Sequence, residues 1–216
     1  MPNSLISIIV PVYNEAGTIR SVLDRLLAIH LPADREIIVV NDGSSDGTRD
    51  VLDALTGLSD RITIVHVDPN RGKGHAVRLG IARSKGDVVA IQDADLELDP
   101  AQLAALVQPI LDGQTDVIYG SRFLTPTTGV PLVSRLANAG LTMFTNLLYG
   151  GSLTDMETCY KIMRGSVARS LPLTADRFDI EPEITATLLT SGHRIKELPV
   201  TFSPRSRAAG KKIRWQ

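Results

Sequence analysis

The sequence predicts an α/β fold: a single domain with a mostly parallel sheet and helices on both faces. Three observations predict it. Short β-rich runs alternate with stretches of helical spacing through the first half. The runs are almost continuously apolar, as strands covered on both faces must be. Each run ends in a cluster of Asp, Gly, Asn or Pro that breaks the chain. Right-handed crossovers then bring every loop that follows a strand to one edge of the sheet, where such sheets bind ligands.

Leu5–Val10 is the first expected strand. Thr18–Ile29 follows as a helix, with Ile19, Val22, Leu23, Leu26 and Leu27 at helical spacing. Glu36–Val40 is a second strand, closed by the turn-forming run Asn41-Asp42-Gly43-Ser44-Ser45-Asp46-Gly47. A short helix over Thr48–Leu55 leads to a third strand at Ile62–Val67. Asp68-Pro69-Asn70-Arg71-Gly72 breaks the chain before a helix over Lys73–Ser84 and a fourth strand at Asp87–Ile91. Asp99 caps a helix over Pro100–Leu111, with Pro100 at its first position. Asp116–Tyr119 is the fifth strand. In the second half, Leu132–Tyr149 reads as an amphipathic helix with Leu136, Leu141, Phe144, Leu147 and Leu148 on one side. Tyr160–Met163 is expected as a strand at a sheet edge, Ile180–Leu189 as a helix and Ile195–Val200 as the final strand.

Composition narrows the function. Of 216 residues, 43% are hydrophobic and 22% charged, which excludes a disordered chain or a repeat array. Lys plus Arg number 23 against 24 Asp plus Glu, so the basic excess of a general nucleic-acid binder is absent. The single cysteine, Cys159, excludes an internal disulfide framework and a Cys-based zinc site, and fits a reducing cytosol. The apolar runs fall short of the roughly 20 residues of a membrane-spanning helix. The N-terminus lacks a signal-peptide pattern, so a cytoplasmic location is expected. From Val200 to Gln216 the sequence has five cations, Arg205, Arg207, Lys211, Lys212 and Arg214, and no acid, which suits an anionic partner.

Three motifs carry chemistry. Asp93-Ala94-Asp95, with Glu97 close behind, follows a buried strand. Two carboxylates straddling a small residue can hold one divalent cation and leave positions for phosphate oxygens. In Asn41–Gly47, Asp42 stands at a strand end, where its carboxylate can accept hydrogen bonds from the N–H groups of a base. In Asn70-Arg71-Gly72-Lys73-Gly74, small residues let a ligand approach the backbone, and Lys73 or Arg71 can meet phosphate. That run has neither the spacing of an ATPase phosphate loop nor that of a dinucleotide-binding fold. His30, His66 and His193 have no ligand spacing, while His75 lies beside the glycine-rich loop.

Read in order, these pieces resemble the family 2 glycosyltransferases, from Ser7-Ile8-Ile9-Val10-Pro11-Val12-Tyr13-Asn14-Glu15 through the three motifs to Gly120-Ser121-Arg122-Phe123, Asp155, Arg164 and Gly210-Lys211-Lys212-Ile213. The resemblance covers about Ser4 to Ile213 and is greatest to dolichol-phosphate mannosyltransferases and bacterial polyprenyl-phosphate sugar synthases. It implies a glycosyltransferase A-type fold, a nucleotide-diphospho-sugar donor, a divalent cation (Mg²⁺ or Mn²⁺) and an inverting transfer. Pro11, Tyr13 and Glu15 match positions lining the nucleoside, and Asp42 the base-binding acid. Asp93, Ala94 and Asp95 match the donor and metal motif. Glu97, counted as a third metal ligand, stands where the lipid-phosphate enzymes often have Gln. Arg122 and Arg135 match arginines that hold the acceptor phosphate. Arg205 and Lys211 match a basic C-terminal loop that closes over the phosphates. Asp95 and Arg122 are the expected catalytic pair, and Lys73 is counted with the substrate-binding residues.

The expected division is a nucleotide-sugar half over residues 4–122, an acceptor half over 123–200 and a basic lid or tail over 201–216. A lipid-phosphate acceptor, with peripheral contact at the inner membrane face and Trp215 near it, needs no general base, because a phosphate is already ionised at neutral pH. A hydroxyl acceptor needs one, for which Asp179, Glu181 and Glu183 are the nearest acids; Glu181 also reads as a neighbour of a helix cap before Pro182. A catalytically silent nucleotide-sugar-binding subunit is the rival from outside the enzymes.

Overall fold

The computed structural model describes residues 4–125 and 129–205. Arg207, Lys211, Lys212, Trp215 and most of the expected lid lie outside them. Among the described residues one seven-stranded sheet is formed by β1 (Leu5–Val12), β2 (Asp34–Asp42), β3 (Ile62–Val67), β4 (Val88–Ile91), β5 (Val117–Ser121), β6 (Lys161–Arg164) and β7 (Ile195–Pro199). Its order is β3-β2-β1-β4-β6-β5-β7. The helices are α1 (Ile19–Ala28), α2 (Thr48–Asp53), α3 (Lys73–Arg83), α4 (Leu103–Leu111), α5 (Leu132–Tyr149), α6 (Gly165–Ser170) and α7 (Ile180–Thr190).

β1, β2, β3 and β4 pair in parallel, with Ile8 opposite Ile37 on one side and Ala90 on the other. The apolar runs of β1, β2 and β4 are buried in the sheet centre, while β3, at the edge, is only partly covered, and full burial of each large aliphatic side chain contributes about 1.5–3 kcal/mol. Alternate strand residues point to opposite faces. Ile37 and Val39 join the main core, while Ile38 and Val40 cluster with Ala76 of α3. α1 packs through Ile19, Val22, Leu23 and Leu26, the spacing of one helix face.

β6 corrects one expectation. It is not at an edge but in the middle of the sheet, antiparallel to both β4 and β5. A lysine in a strand is typical of an exposed edge, yet Lys161, the first residue of β6, is fully buried here because Glu181 neutralises it. α6, which follows β6 directly, has no counterpart among the expected elements.

α5 spans its expected residues, but the apolar side is turned outward. Leu136, Phe144 and Leu147 are 63%, 58% and 80% exposed, whereas Asn138, Thr142 and Thr145 are buried. The helix is docked by polar bonds: Asn138 Nδ2 donates to Asp155 Oδ1 (3.2 Å), and the Met156 N–H donates to Thr142 Oγ1 (3.1 Å). Among the described residues, no helix is long and apolar enough to cross a membrane.

Candidate active site

The loops after β1, β2, β3, β4 and β5 meet at one sheet edge around a cavity of about 1010 Å³. Pro11, Tyr13, Glu15, Asp42, Lys73, Asp93, Ala94, Asp95, Glu97, Arg122 and Arg205 all line it. Arg135 does not; it is exposed on α5.

Asp42 is buried at the end of β2 and staples the next loop. Its Oδ1 accepts from the Arg71 N–H (3.0 Å), and its Oδ2 from Asn70 Nδ2 (2.7 Å) and the Gly72 N–H (2.6 Å). Gly72 has φ +113°, and a Cβ there would run into the carbonyl of Asp176. The glycine therefore lets this loop press against the segment leading into α7.

The loop after β4 begins at Gln92, whose buried amide donates to the Asp93 carbonyl and accepts from the Tyr160 hydroxyl. Asp93 Oδ1 meets Lys73 Nζ at 2.8 Å. Asp95 Oδ1 accepts from the Glu97 N–H (3.1 Å), across Leu96, which has φ +62°. A non-glycine residue in that left-handed region carries strain, and such strain gathers at functional sites. Burial, and then the charges of Asp93 and Glu97, push the Asp95 carboxyl up to about 6. Arg205 approaches from the C-terminal segment. Its guanidinium forms a bidentate pair with Glu15 (3.0 and 2.8 Å) and lies 3.4 Å from Asp95 Oδ2, while its N–H donates to Glu97 Oε1 (2.8 Å).

The three expected metal ligands are close but not convergent. Among the described residues, no three His, Cys, Asp or Glu side chains form a set that could hold a metal ion. Asp93 is turned to Lys73, and Glu97 to the Arg205 backbone.

On the opposite wall, Arg122 is braced by Asp155. Nε donates to Oδ2 and Nη2 to Oδ1, both at 2.7 Å, and the Arg122 N–H also reaches Oδ2 (3.0 Å). Burial alone would lower the Arg122 pKa, but the bonds and charge of Asp155 raise it. The guanidinium also lies over the rings of Phe123 and Phe202.

Sequence reasoning missed Lys161, behind the cavity, and placed Glu181, which lines it, only among candidate bases. Lys161 pairs with Glu181 Oε2 (2.5 Å), and Lys73 pairs with Glu181 Oε1 (2.9 Å). Burial would raise the Glu181 carboxyl, but Lys161 and then Lys73 hold it down to about 2. The available signal was a lone charge in the apolar run Tyr160-Lys161-Ile162-Met163, which demands a buried counter-charge. Glu157 also lines the cavity, and burial raises its pKa. Cys159 is buried, and burial raises its thiol well above the ordinary range, so it is inert.

A parallel-sheet core with this acidic and cationic cleft defines a glycosyltransferase of the A-type fold. The chain belongs to Glycosyl transferase family 2, whose family profile matches residues 7–171. It is 30% identical over 218 residues to glycosyltransferase AglD of Haloferax volcanii, covering 93% of this chain and 33% of that protein. It is 26% identical over 219 residues to the UDP-N-acetylglucosamine–dolichyl-phosphate N-acetylglucosaminyltransferase of Methanococcus voltae, covering 93% of this chain and 86% of the relative. The chain thus spans only a third of AglD. Among solved structures, glucosyl-3-phosphoglycerate synthase of M. tuberculosis superposes with a TM-score of 0.71 at 25% identity, over 94% of this chain and 73% of that one.

Proposed function

We propose that the chain transfers a hexose from a nucleotide-diphospho-sugar to a polyprenyl phosphate, with inversion, at the cytoplasmic face of a membrane. The observation that carries this reading is the state of the acceptor-side acids. Glu181 is spent on two lysines and Asp155 on Arg122, so that wall offers a fixed cation to the acceptor. A carboxylate with a pKa near 2 is a poor general base at neutral pH. An ionised phosphate needs none. Arg122 holds it while its oxygen attacks the anomeric carbon and the nucleoside diphosphate departs. The dolichyl-phosphate relative supports the same acceptor class.

Apart from Arg122, residues 4–122 serve the donor and residues 123–200 the acceptor, and Arg205 brings the C-terminal segment against the donor motif. Pro11, Tyr13 and Glu15 line the nucleoside, and Asp42 serves the base. The donor set suits a divalent cation by its chemistry, once Asp93 turns from Lys73 and Glu97 from the Arg205 N–H: the repulsion at Asp95 and the guanidinium of Arg205 beside it mark a place that favours positive charge. Asp95, with Asp93 and Glu97, would hold the ion; when bound, it neutralises charge on the leaving diphosphate. Related synthase structures contain Mn²⁺ or Mg²⁺ with uridine diphosphate. Lys73 and Arg205 add cationic contacts to the same group.

Glu157 favours a second reading. It is a cavity carboxyl with a pKa raised by burial, suited to deprotonating a hydroxyl acceptor. A donor panel with Mn²⁺ or Mg²⁺, offered a short polyprenyl phosphate or a sugar hydroxyl, separates the readings. Product on the lipid phosphate alone is expected. Product on a hydroxyl alone, lost in Glu157→Gln, overturns the first reading for the second. No donor turnover of any kind, hydrolysis included, points to a silent binding subunit.

A further inference from the structure

Lys161 has no exposed side-chain surface, and its three N–H donors are all used. They reach the carbonyls of Met156 (2.9 Å) and Thr158 (2.6 Å) and Glu181 Oε2 (2.5 Å). It therefore has nothing left for a ligand. Glu181 gives its other oxygen to Lys73, and Lys73 also reaches Asp93. That takes two of the three Lys73 donors, and Lys73 lines the cavity. The result is a chain of alternating charges, Lys161–Glu181–Lys73–Asp93, running from mid-sheet to the donor motif.

The backbone is arranged to keep this chain in register. Glu181 lies in the first turn of α7, on the buried side with Ile184, Thr185 and Leu188. The residues before α7 are locked to the Lys73 loop. The His75 N–H donates to the Asp176 carbonyl (3.0 Å), and Gly74 leaves room for the carbonyl of Ala175. A lysine tethered at one point keeps the freedom of its four-carbon stem. Anchors on two sides remove that freedom, and Glu181 can anchor only because Lys161 neutralises it.

We propose that Lys161 and Glu181 are positioning residues for the donor: they fix Lys73 at the cavity wall so that its remaining N–H meets an oxygen of the donor's diphosphate. This rests on the nucleotide-sugar reading above. Lys161 acts from the acceptor half without touching any substrate.

The test is calorimetric. Wild type is titrated with uridine and guanosine diphosphates and their monophosphates, each with Mn²⁺. The better nucleotide is then used on variants whose fold is checked by circular dichroism. Either single substitution strands a buried charge, so the pair Lys161→Met/Glu181→Met, which removes both charges at similar volume, carries the test. Its diphosphate affinity is expected to fall about tenfold to a hundredfold, with monophosphate affinity held within about twofold. Lys73→Met should give the same selective loss, and adding it to the double variant should change little further. Unchanged diphosphate affinity in the folded double variant overturns the proposal. So does an equal fall for mono- and diphosphate, which marks general damage to the pocket, and so does unaltered binding in Lys73→Met. A wild type that binds neither diphosphate overturns the nucleotide-sugar reading itself, separately from any variant.

Discussion

At Asp95, burial and the charges of Asp93 and Glu97 make ionisation costly, which is why its carboxyl titrates near 6. A folded-state pKa above the ordinary 3.8 means that the ionised form destabilises the metal-free protein. The cost is absent below the ordinary value, grows as pH rises toward 6 and is complete above it. Asp95→Asn removes the charge. In EDTA at pH 7.5 the variant should melt about 2–4 °C above wild type for each kcal/mol relieved, and the gap should close near pH 4. Transfer with Mn²⁺ should be lost in the same folded protein; melting curves and a turnover assay read both effects. Arg122 calls for a gentler change. Arg122→Ala would strand Asp155, which has no exposed surface, and so confuse stability with function. Arg122→Lys keeps the charge and loses the bidentate fork. Acceptor KM should rise by the equivalent of about 1.5–3 kcal/mol with donor KM unchanged. Equal damage to both would move Arg122 to the donor diphosphate.

α5 shows how an element can be read correctly in extent and still misjudged in its docking. Its hydrophobic pattern marks a helix with two unlike sides, and pattern alone does not say which side the core takes. Here Asn138 and Thr142 satisfy buried groups at Asp155 and Met156, so the polar side goes inward. Thr142→Val should therefore cost about 1–3 kcal/mol, because it leaves the buried Met156 N–H without a partner. Leu147→Ser, on the exposed side, should change stability by no more than about 0.5 kcal/mol. Urea unfolding of the two variants checks the inversion; the reverse ranking would sink it. The strands of the first half were legible because each is a continuous apolar run ended by a turn cluster, as Ile37–Val40 is by Asn41–Gly47. The cleft was legible for the same reason, since its residues sit where those runs end. β6 was misplaced because its position depends on a charge pair between residues 20 apart, and local pattern holds no record of that. Glu181 stood among candidate bases because the sequence cannot show the two lysines that hold it.

For the whole molecule, the Lys161–Glu181 pair sets an acid limit. The Glu181 pKa lies below its ordinary 4.5, so its contribution to stability is fully present above about that pH. The contribution is lost as pH falls toward 2. Wild type should lose stability more steeply between those values than the folded Lys161→Met/Glu181→Met variant, as chemical unfolding at stepped pH would show. Parallel slopes would mean that Glu181 titrates normally.

The central place of β6 also bears on the order in which the chain assembles. β1 to β4 can pair with one another as soon as residue 91 has been made, and only the second partner of β4, β6, lies further along the chain. β5 is next in sequence, yet its neighbours are β6 and β7, so it has no strand to join until residues 161–164 arrive. Thirty-nine residues, α5 among them, separate the end of β5 from β6. Such distant pairing is slow to form, since the loop-closure entropy comes before any reward from contacts. The first half of the sheet thus has its partners early, and its β4 edge stays open until one short antiparallel strand arrives to join the two halves.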